Sequence, residues 1–473
     1  MVAPAPPRPA RGRLALAVLL AVGGAALSGA AGAQVALTEP SCATNGGTAD
    51  GPAPATVPNG HVAWPATDPV WEFDLYRPAN RTTLNGSGLE LRDVRYRGRL
   101  VFARAGVPVL NVEYDPGVGC GCFRDWQHDE APVDVGDAEP VAPCLARARP
   151  GAVRTACEAN ESPQNADPGG DVGDFEGVVL EDYGTELVLT AHAEAGWYRY
   201  RMKWHLYADG RVWPEFSFAA ADAVCTRADH RHHAYWRFDF DLEGTPADDV
   251  VREHRGGAAH VVQREAARTW GGAAGGTFWS VRDGATGAGY EVVPSEADRR
   301  LPADAFSKTD ALVLRYKLAE LDDGEAGGTG CAFRYEPFVD GESVEGEDVV
   351  FWYRSGALHA GGSPFACDIV GPMLRPVGYD RPAPTGGVWV DVVGPNPTAG
   401  DAAVRYRVDG GGHVTVALYD AVGRRVRVLY AGPAPPGGEG EVRVPRAGLA
   451  AGAYVVRVTG GAGGGAARVV FAR

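Results

Sequence analysis

The sequence has little of what several common classes of protein require. It has 473 residues, with 45 Lys and Arg against 60 Asp and Glu, which gives a net charge of -15. A nucleic-acid partner needs a basic surface that neutralises phosphates, so we exclude one. After residue 27 no apolar run is long enough to cross a bilayer, and long helical patterns are few. The 65 Gly and 35 Pro favour an all-β chain, and the length favours two or more domains.

The first 33 residues have the features of a cleaved export signal. A basic start precedes an apolar stretch over residues 14–27, and Ala31 and Ala33 supply the small residues of a signal-peptidase site. We predict a signal peptide over 1–33 and a flexible lead-in over 34–63. All eight cysteines follow the cleavage point, so disulfides are expected in an exported chain. Their pairing cannot be deduced, and unpaired buried thiols are the alternative.

A linker rich in Pro and Gly at residues 378–387 separates two regions of different composition. Residues 64–377 are dense in aromatic residues and short alternating runs, whereas residues 388–473 contain much Val and regularly spaced Gly. Five short strands are predicted in the second region, at 404–408, 414–419, 425–430, 442–444 and 454–458. Strands at this spacing indicate a small β-sandwich.

Residues 388–473 resemble the C-terminal sorting domain of the type IX secretion system. The matching residues, in chain order, are Asn396-Pro397, Tyr419-Asp420, Gly423-Arg424, Leu449, Gly452, Tyr454 and Arg468-Val469-Val470. The resemblance implies export across an outer membrane by the type IX machinery, so that the protein is secreted or held at the cell surface. An ordinary immunoglobulin-like accessory module is the alternative.

Two histidines alternate with apolar residues in a predicted strand over residues 229–242. Alternate side chains of a strand share a face, which groups His230, His232, Ala234, Trp236, Phe238, Phe240 and Leu242. Two imidazoles on an otherwise apolar face need partners, and a His-x-His pair can chelate one metal ion. Histidines that are only hydrogen-bonded in a core are the alternative.

A second alternating run spans residues 197–206 and ends at the turn Asp209-Gly210. One of its faces holds Tyr198, Tyr200, Met202, Trp204 and Leu206, and the other holds Arg199, Arg201, Lys203 and His205. This run is predicted to be a strand, with a further strand from Arg211 onwards.

Together these motifs resemble the catalytic domain of copper-containing, quinone-dependent amine oxidases over residues 70–376. The matching pieces are His230 to Gly244, Gly346 to Trp352 with Leu358-His359, residues 88–96 with Tyr114-Asp115-Pro116, Gly119-Cys120-Gly121-Cys122 and Cys157-Glu158. The resemblance implies a large antiparallel β-sandwich and a homodimer, which is the usual oligomeric state of the family. It also implies oxidation of primary amines to aldehydes, with O2 reduced to H2O2.

Carried over residue by residue, the resemblance makes His230, His232 and His359 the ligands of copper. Three imidazoles with positions left open for water suit Cu(II). Tyr198 becomes the precursor of the topaquinone cofactor, because its strand matches the family's quinone strand without a gap. Tyr114 matches a tyrosine that hydrogen-bonds the quinone oxygen.

The resemblance also implies a calcium site and a disulfide. The calcium ligands would be the side chains of Asp239, Asp241 and Asp348 and the carbonyls of Phe240 and Val349. Asp239 and Asp241 face away from the histidines and offer hard oxygen ligands, although a solvated strand face is the alternative. The disulfide candidates are Cys120, Cys122 and Cys157, and the family has a partner for the last.

Two departures from the family pattern place a second hypothesis beside the oxidase. Trp197 and Arg199 stand where the family has Asn before the modified tyrosine and an acidic or amide residue after it. Only three residues separate Pro116 from Cys120, so the stretch that carries the family's proton-abstracting Asp is deleted. The substitutes considered are Asp115, Asp125 and Asp129, and spacing favours none of them. The alternative function is a non-catalytic descendant that binds copper.

Overall fold

The computed structural model describes residues 35–43, 57–80, 88–125, 129–136, 138–155, 173, 175–220, 223–244, 246–270, 276–324, 331–360, 369–379, 388–393, 398–408, 413–420, 424–433, 439–460 and 463–472. The predicted signal peptide lies outside the described residues, as do Cys157, Cys367, Asn396-Pro397 and Gly423. By its contacts the chain divides into two compact units, Met1–Gly378 and Tyr379–Arg473.

The larger unit is built almost entirely of strands, as the sequence predicts. The described strands are β1 (Ala36–Thr38), β2 (Gly60–Trp64), β3 (Trp71–Tyr76), β4 (Glu90–Tyr96), β5 (Arg99–Tyr114), β6 (Cys122–Arg124), β7 (Glu130–Ala131), β8 (Glu139–Ala142), β9 (Leu145–Ala148), β10 (Val178–Asp182), β11 (Glu186–Ala195), β12 (Tyr198–Tyr207), β13 (Val212–Ala220), β14 (His230–Phe240), β15 (Asp249–Arg255), β16 (Ala258–Val261), β17 (Ala266–Arg268), β18 (Phe278–Asp283), β19 (Gly289–Val293), β20 (Ala311–Arg315), β21 (Val349–His359) and β22 (Met373–Val377). A short helix, α1 (Glu296–Arg300), follows β19.

These strands form two large sheets. The first has the order β1-β2-β3-β4-β5-β14-β21-β20-β17, with β6 paired to β5, and the second has the order β16-β15-β18-β19-β22-β13-β12-β11-β10-β9-β8, with β7 paired to β11. Neighbouring strands are antiparallel except β9 and β10, which are parallel. The predicted all-β, antiparallel class is therefore confirmed. In the part of the chain that the structure describes, no helix is long and apolar enough to span a membrane.

The two sheets pack face to face through aromatic side chains. Trp204 of β12 packs edge-on against Trp236 of β14, with ring centroids 5.5 Å apart, and it also contacts Phe238. These residues belong to the faces that the alternation of the two runs groups together, because alternate residues of a strand point the same way. The opposite face of β14 is buried as well, which the sequence does not indicate.

A glycine turn holds β12 and β13 close to the first sheet. Gly210 has φ +91, a conformation that other residues rarely adopt. A Cβ atom at this position would lie 2.6 Å from the ring of Tyr96. The turn predicted at Asp209-Gly210 therefore needs glycine both for its backbone conformation and for the approach of the tyrosine.

All six cysteines that the structure describes are paired. The disulfides are Cys42–Cys144, Cys120–Cys225 and Cys122–Cys331, with Cα–Cα distances of 5.6, 5.8 and 6.0 Å, which are ordinary for a disulfide. The alternative of unpaired thiols fails for these six. Neither cysteine of the Cys-x-Cys element is left for Cys157, so the family's partner for that residue is not found there.

The smaller unit forms two further sheets. Its described strands are β23 (Val388–Val393), β24 (Ala402–Val408), β25 (His413–Tyr419), β26 (Arg425–Pro433), β27 (Glu439–Val444), β28 (Gly452–Gly460) and β29 (Gly463–Phe471). The sheet orders are β23-β24-β27 and β26-β25-β28-β29, around a core rich in Val. All five predicted strands are present. The sequence did not indicate β23 or β29, and the second of these begins with glycines, which are depleted in strands.

Candidate metal site beside a buried tyrosine pair

Strand register brings three of the predicted site residues into one row of the first sheet. On the central strand β14, His230 lies opposite His359 of β21 and opposite Tyr114 of β5. His232 lies two residues further along β14 and therefore on the same face. All four side chains are buried.

The second sheet supplies the tyrosine that faces this row. Tyr198 begins β12, and its ring lies edge-on to His232, with centroids 4.6 Å apart; the centroid of His230 is 5.8 Å away. Phe218 of β13 also packs against the ring of His232, with the ring centroids 3.8 Å apart. The structure thus brings Tyr114, Tyr198, His230, His232 and His359 together between the two sheets.

The hydrogen bonds of His230 fix which of its nitrogens carries the proton. Nδ1 lies 2.7 Å from the carbonyl oxygen of Ala228, and a carbonyl can only accept, so Nδ1 donates and Nε2 keeps its lone pair. Nε2 faces Nδ1 of His359 at 3.1 Å. Burial lowers the pKa of His230 to about 4, so the ring is neutral at pH 7 and can be a metal ligand.

His232 has one nitrogen that nothing in the described structure satisfies. Its Nδ1 is 3.0 Å from the hydroxyl of Tyr200, whereas Nε2 is buried without a hydrogen-bond partner among the described residues. Burial holds the pKa of His232 well below its usual value. A buried polar atom without a partner costs free energy, so Nε2 is the atom of this ring that is available to a metal ion.

The donor set fits a metal that prefers nitrogen ligands. Two metal–imidazole bonds of about 2.0 Å that meet at slightly more than a right angle span about 3.1 Å, which is the separation of the His230 and His359 nitrogens. The ligand atoms of the three imidazoles are not all within 4.8 Å of one another. Among the described residues, only a carboxylate cluster has this spacing. One ion would therefore draw the His232 ring closer to the other two.

The phenol groups of Tyr114 and Tyr198 hydrogen-bond each other. Burial raises the pKa of both phenols above the usual value, so both are protonated at pH 7. Tyr198 thereby presents its ring to the imidazoles while its oxygen is held by Tyr114.

Of the three carboxyl groups considered as a base, the structure brings Asp125 to the site. Asp125 follows β6, is buried, and accepts a hydrogen bond from Tyr200 rather than from Tyr198. Burial raises its pKa to about 7, although the Tyr200 hydrogen bond opposes the shift. Asp115 is exposed and accepts from the backbone of Gly117, and Asp129 is also exposed.

The two unusual neighbours of Tyr198 lie away from its phenol. Trp197 is 39% exposed. Arg199 is only 1% exposed, and its guanidinium donates to the carbonyl of Tyr198 at 3.1 Å and pairs with Glu194 at 3.3 Å. Because successive strand residues point to opposite faces, the charge of Arg199 is balanced on the side that Tyr198 does not use.

The predicted calcium ligands lie on neighbouring strands at the other end of β14, although the carboxylate oxygens of these described residues are not all within 4.8 Å of one another. Asp239 pairs in register with Val350 of β21, which brings Asp239, Phe240 and Asp241 beside Asp348 and Val349. Asp239 is 5% exposed and forms an ion pair with Arg237 at 3.2 Å, so a solvated strand face is wrong for this residue. Asp241 and Asp348 each have a buried oxygen without a hydrogen-bond partner in the described structure.

A fourth carboxyl group, which the sequence did not indicate, belongs to this cluster. Asp249 accepts from the backbone N–H of Leu242 at 3.1 Å. Burial and, to a smaller extent, the charges of Asp241 and Asp348 raise its pKa to about 8, although the hydrogen bond from Leu242 opposes the shift. Burial and the charges of Asp239 and Asp241 raise the pKa of Asp348 to about 7. Such shifts are the effect of burial and of neighbouring negative charges.

The carboxylate cluster with ligand spacing already contains a cation of the protein itself. Glu265, Asp340 and Glu342 have oxygens within 4.8 Å of one another, and the ammonium of Lys317 lies 3.7, 3.0 and 3.1 Å from them. Glu320 is a further partner at 3.3 Å. The lysine explains this cluster without a metal ion.

Solved structures similar to this chain include amine oxidases. A lysyl oxidase from Pichia pastoris is 14% identical with a TM-score of 0.49, and the match covers 77% of this chain and 55% of that one. A copper-containing benzylamine oxidase from Hansenula polymorpha is 14% identical with a TM-score of 0.47, and the match covers 68% of this chain and 60% of that one. An amine oxidase from Aspergillus nidulans is 15% identical with a TM-score of 0.42, and the match covers 78% of this chain and 55% of that one.

The matches span little more than half of these solved structures, and the TM-scores are below 0.5. Neither the protein-family models nor the curated proteins give a match. The similarity at this level carries no argument about activity, which has to be argued from the site.

Proposed function

We propose that this protein is a copper-dependent oxidase of primary amines. The reaction would convert a primary amine, O2 and water into an aldehyde, ammonia and H2O2. His230, His232 and His359 would hold the metal, and Tyr198 would be the precursor of a quinone. The observation that carries the proposal is the unpartnered Nε2 of His232, buried next to the ring of Tyr198 and on the same face as two further imidazoles.

When bound, copper would supply the chemistry with O2 that oxidises the Tyr198 ring and later reoxidises the cofactor. The protein would orient that ring. Tyr114 holds the phenol oxygen, while Tyr200 stacks on the Tyr198 ring at 5.6 Å and Phe218 packs against its edge at 5.7 Å. The burial of Tyr198 limits access of bulk water to the ring.

One observation favours a second function, a copper-binding protein without oxidase activity. A proton acceptor must reach the proton that it removes, and the buried carboxyl of this region, Asp125, is hydrogen-bonded to Tyr200. Asp115 and Asp129 are exposed. In this alternative the same three histidines bind copper, and Tyr198 stays a tyrosine.

Several properties are proposed from the sequence motifs. We propose that a calcium ion binds Asp239, Asp241 and Asp348 with the carbonyls of Phe240 and Val349. We propose also that residues 1–33 are a signal peptide and that residues 388–473 direct export by the type IX machinery to the outside or to the cell surface. A homodimer is proposed on the resemblance alone.

Labelling with phenylhydrazine, which reacts with quinone carbonyls, separates the two functions. The protein is purified without metal, loaded with copper in air, labelled, digested and analysed by mass spectrometry. The oxidase predicts an adduct on the Tyr198 peptide, which is absent in Tyr198→Phe and in His230→Ala. Full copper occupancy with an unmodified Tyr198 would establish the non-catalytic function. Unchanged stoichiometric copper binding by His230→Ala would refute the metal site itself.

A further inference from the structure

A row of three buried side chains leads away from the candidate metal site. The hydroxyl of Tyr200 contacts Asp125 on one side and lies 3.0 Å from Nδ1 of His232 on the other. The three residues come from the end of β6, from β12 and from β14, so both sheets contribute. All three side chains are buried.

The single proton of a tyrosine hydroxyl links the two ends of this row. When Tyr200 donates to the carboxylate of Asp125, its oxygen can only accept on the other side. The donor there is the N–H at Nδ1 of His232. A neutral imidazole carries one proton, so Nε2 is left with its lone pair. This is the atom that has no partner in the described structure.

The reverse arrangement would disable the ring as a ligand. If Tyr200 donated to Nδ1 of His232, the imidazole proton would sit on Nε2, which could then not bind a metal. When Asp125 is ionised, it opposes that arrangement because a carboxylate can only accept. For His230, the carbonyl of Ala228 has the same effect at Nδ1.

We propose that Asp125 and Tyr200 are positioning residues, which act in series to place the proton of His232 on Nδ1 and to direct Nε2 to the metal. The inference rests on the proposed copper site and adds to it a role for the two residues. Phe218 supports this role by packing on the imidazole at 3.8 Å, which restricts rotation of the ring. Partners that orient metal-binding histidines typically change metal affinity about 10- to 100-fold when removed.

Two sets of variants test the row. Tyr200→Phe and Asp125→Leu break it, whereas Asp125→Asn keeps an oxygen that can still accept from Tyr200. Tyr235→Phe is the matched control, because Tyr235 is a buried tyrosine on the opposite face of β14 from His232. Copper affinity is measured by titration, and the ligand field by electron paramagnetic resonance.

We expect copper to bind about 10- to 100-fold more weakly to Tyr200→Phe and to Asp125→Leu, with changed spectra. Asp125→Asn should lie closer to the wild type, and Tyr235→Phe should match it. If Asp125→Leu does not fold, Tyr200→Phe alone decides the result. Wild-type affinity together with a wild-type spectrum in Tyr200→Phe would overturn the proposal.

A second measurement needs no copper and therefore separates this inference from the proposed function. In the metal-free protein, 15N chemical shifts of the imidazoles report which nitrogen is protonated, and His232→Gln assigns the signal. We expect the proton of His232 on Nδ1 in the wild type and a mixture or the other form in Tyr200→Phe. A proton on Nε2 in the wild type would refute the positioning role of Asp125 and Tyr200. Absence of copper binding with the proton on Nδ1 would refute only the copper function.

Discussion

Tyr114 and Tyr198 share a hydrogen bond between their phenol oxygens, although they belong to different sheets. Each phenol therefore supplies the hydrogen-bond partner that the other needs because it is buried. Neither oxygen reaches bulk water, because both side chains are almost fully enclosed.

We predict that the two phenols are coupled in stability. Tyr114→Phe or Tyr198→Phe leaves the other hydroxyl buried without a partner, at a cost of about 1–3 kcal/mol. The double variant removes both polar groups, so it should be destabilised by clearly less than the sum of the single variants. Urea unfolding of the metal-free protein measures the effect. Tyr198→Phe combined with Tyr235→Phe is the control and should be additive; additivity of the first pair would contradict the prediction.

We predict that the metal-free protein loses stability between about pH 4 and pH 8, in part through Asp348 and Asp249. Their pKa values are raised to about 7 and about 8 in the folded protein, so the folded state holds these protons more tightly than the unfolded state. The stabilisation is therefore complete below pH 4 and is lost as the pH rises through the folded values. Because one pKa unit corresponds to about 1.4 kcal/mol, the loss should be several kcal/mol.

Calcium should oppose this loss, because a cation stabilises the ionised carboxylates. Unfolding is measured at pH 5 and pH 8, with EDTA or with millimolar calcium. Asp348→Asn should weaken both the pH dependence and the calcium effect. Asp209→Asn, at a turn outside this cluster, should change neither. A calcium effect that Asp348→Asn leaves intact would argue against the site.

We predict that Lys317→Met turns the carboxylate cluster around it into a cation-dependent site. Without the ammonium, Asp340, Glu342 and the buried Glu265 lose the cation that pairs with all three, so the variant should be destabilised in EDTA and recover with calcium. Lys308→Met is the control, because Lys308 pairs with the single, more exposed Glu336. Equal thermal unfolding of Lys317→Met with and without calcium would show that the cluster cannot hold an ion.

The strands that carry the site could be predicted because their pattern is local. On β12 and β14 the apolar and polar residues alternate, and this alternation alone groups Tyr198 with Tyr200 and His230 with His232. The burial of the other face of β14 could not be predicted in this way. That face contains His233, which contacts Arg354 of β21, and Arg237 and Asp239, which pair with each other.

The rest of the site depends on contacts between distant parts of the chain. Asp125 was one of three equal candidates, since nothing in its neighbourhood in the sequence indicates that β6 delivers it to Tyr200. The pairing of Cys122 with Cys331 joins residues 209 positions apart, and an even number of cysteines does not determine such a pairing. Asp249 lies outside every motif considered, although it follows β14 by only a few residues.

The parity of β14 has a consequence for how this strand can vary. Its even-numbered histidines and its odd-numbered aspartates serve opposite faces, with six residues between His232 and Asp239. Inserting or deleting one residue between them would exchange the faces of one group relative to the other. An insertion or deletion there could therefore preserve one of the two candidate sites but not both, whereas changes of two residues would keep the parity. Natural length variants of this strand should accordingly differ in steps of two.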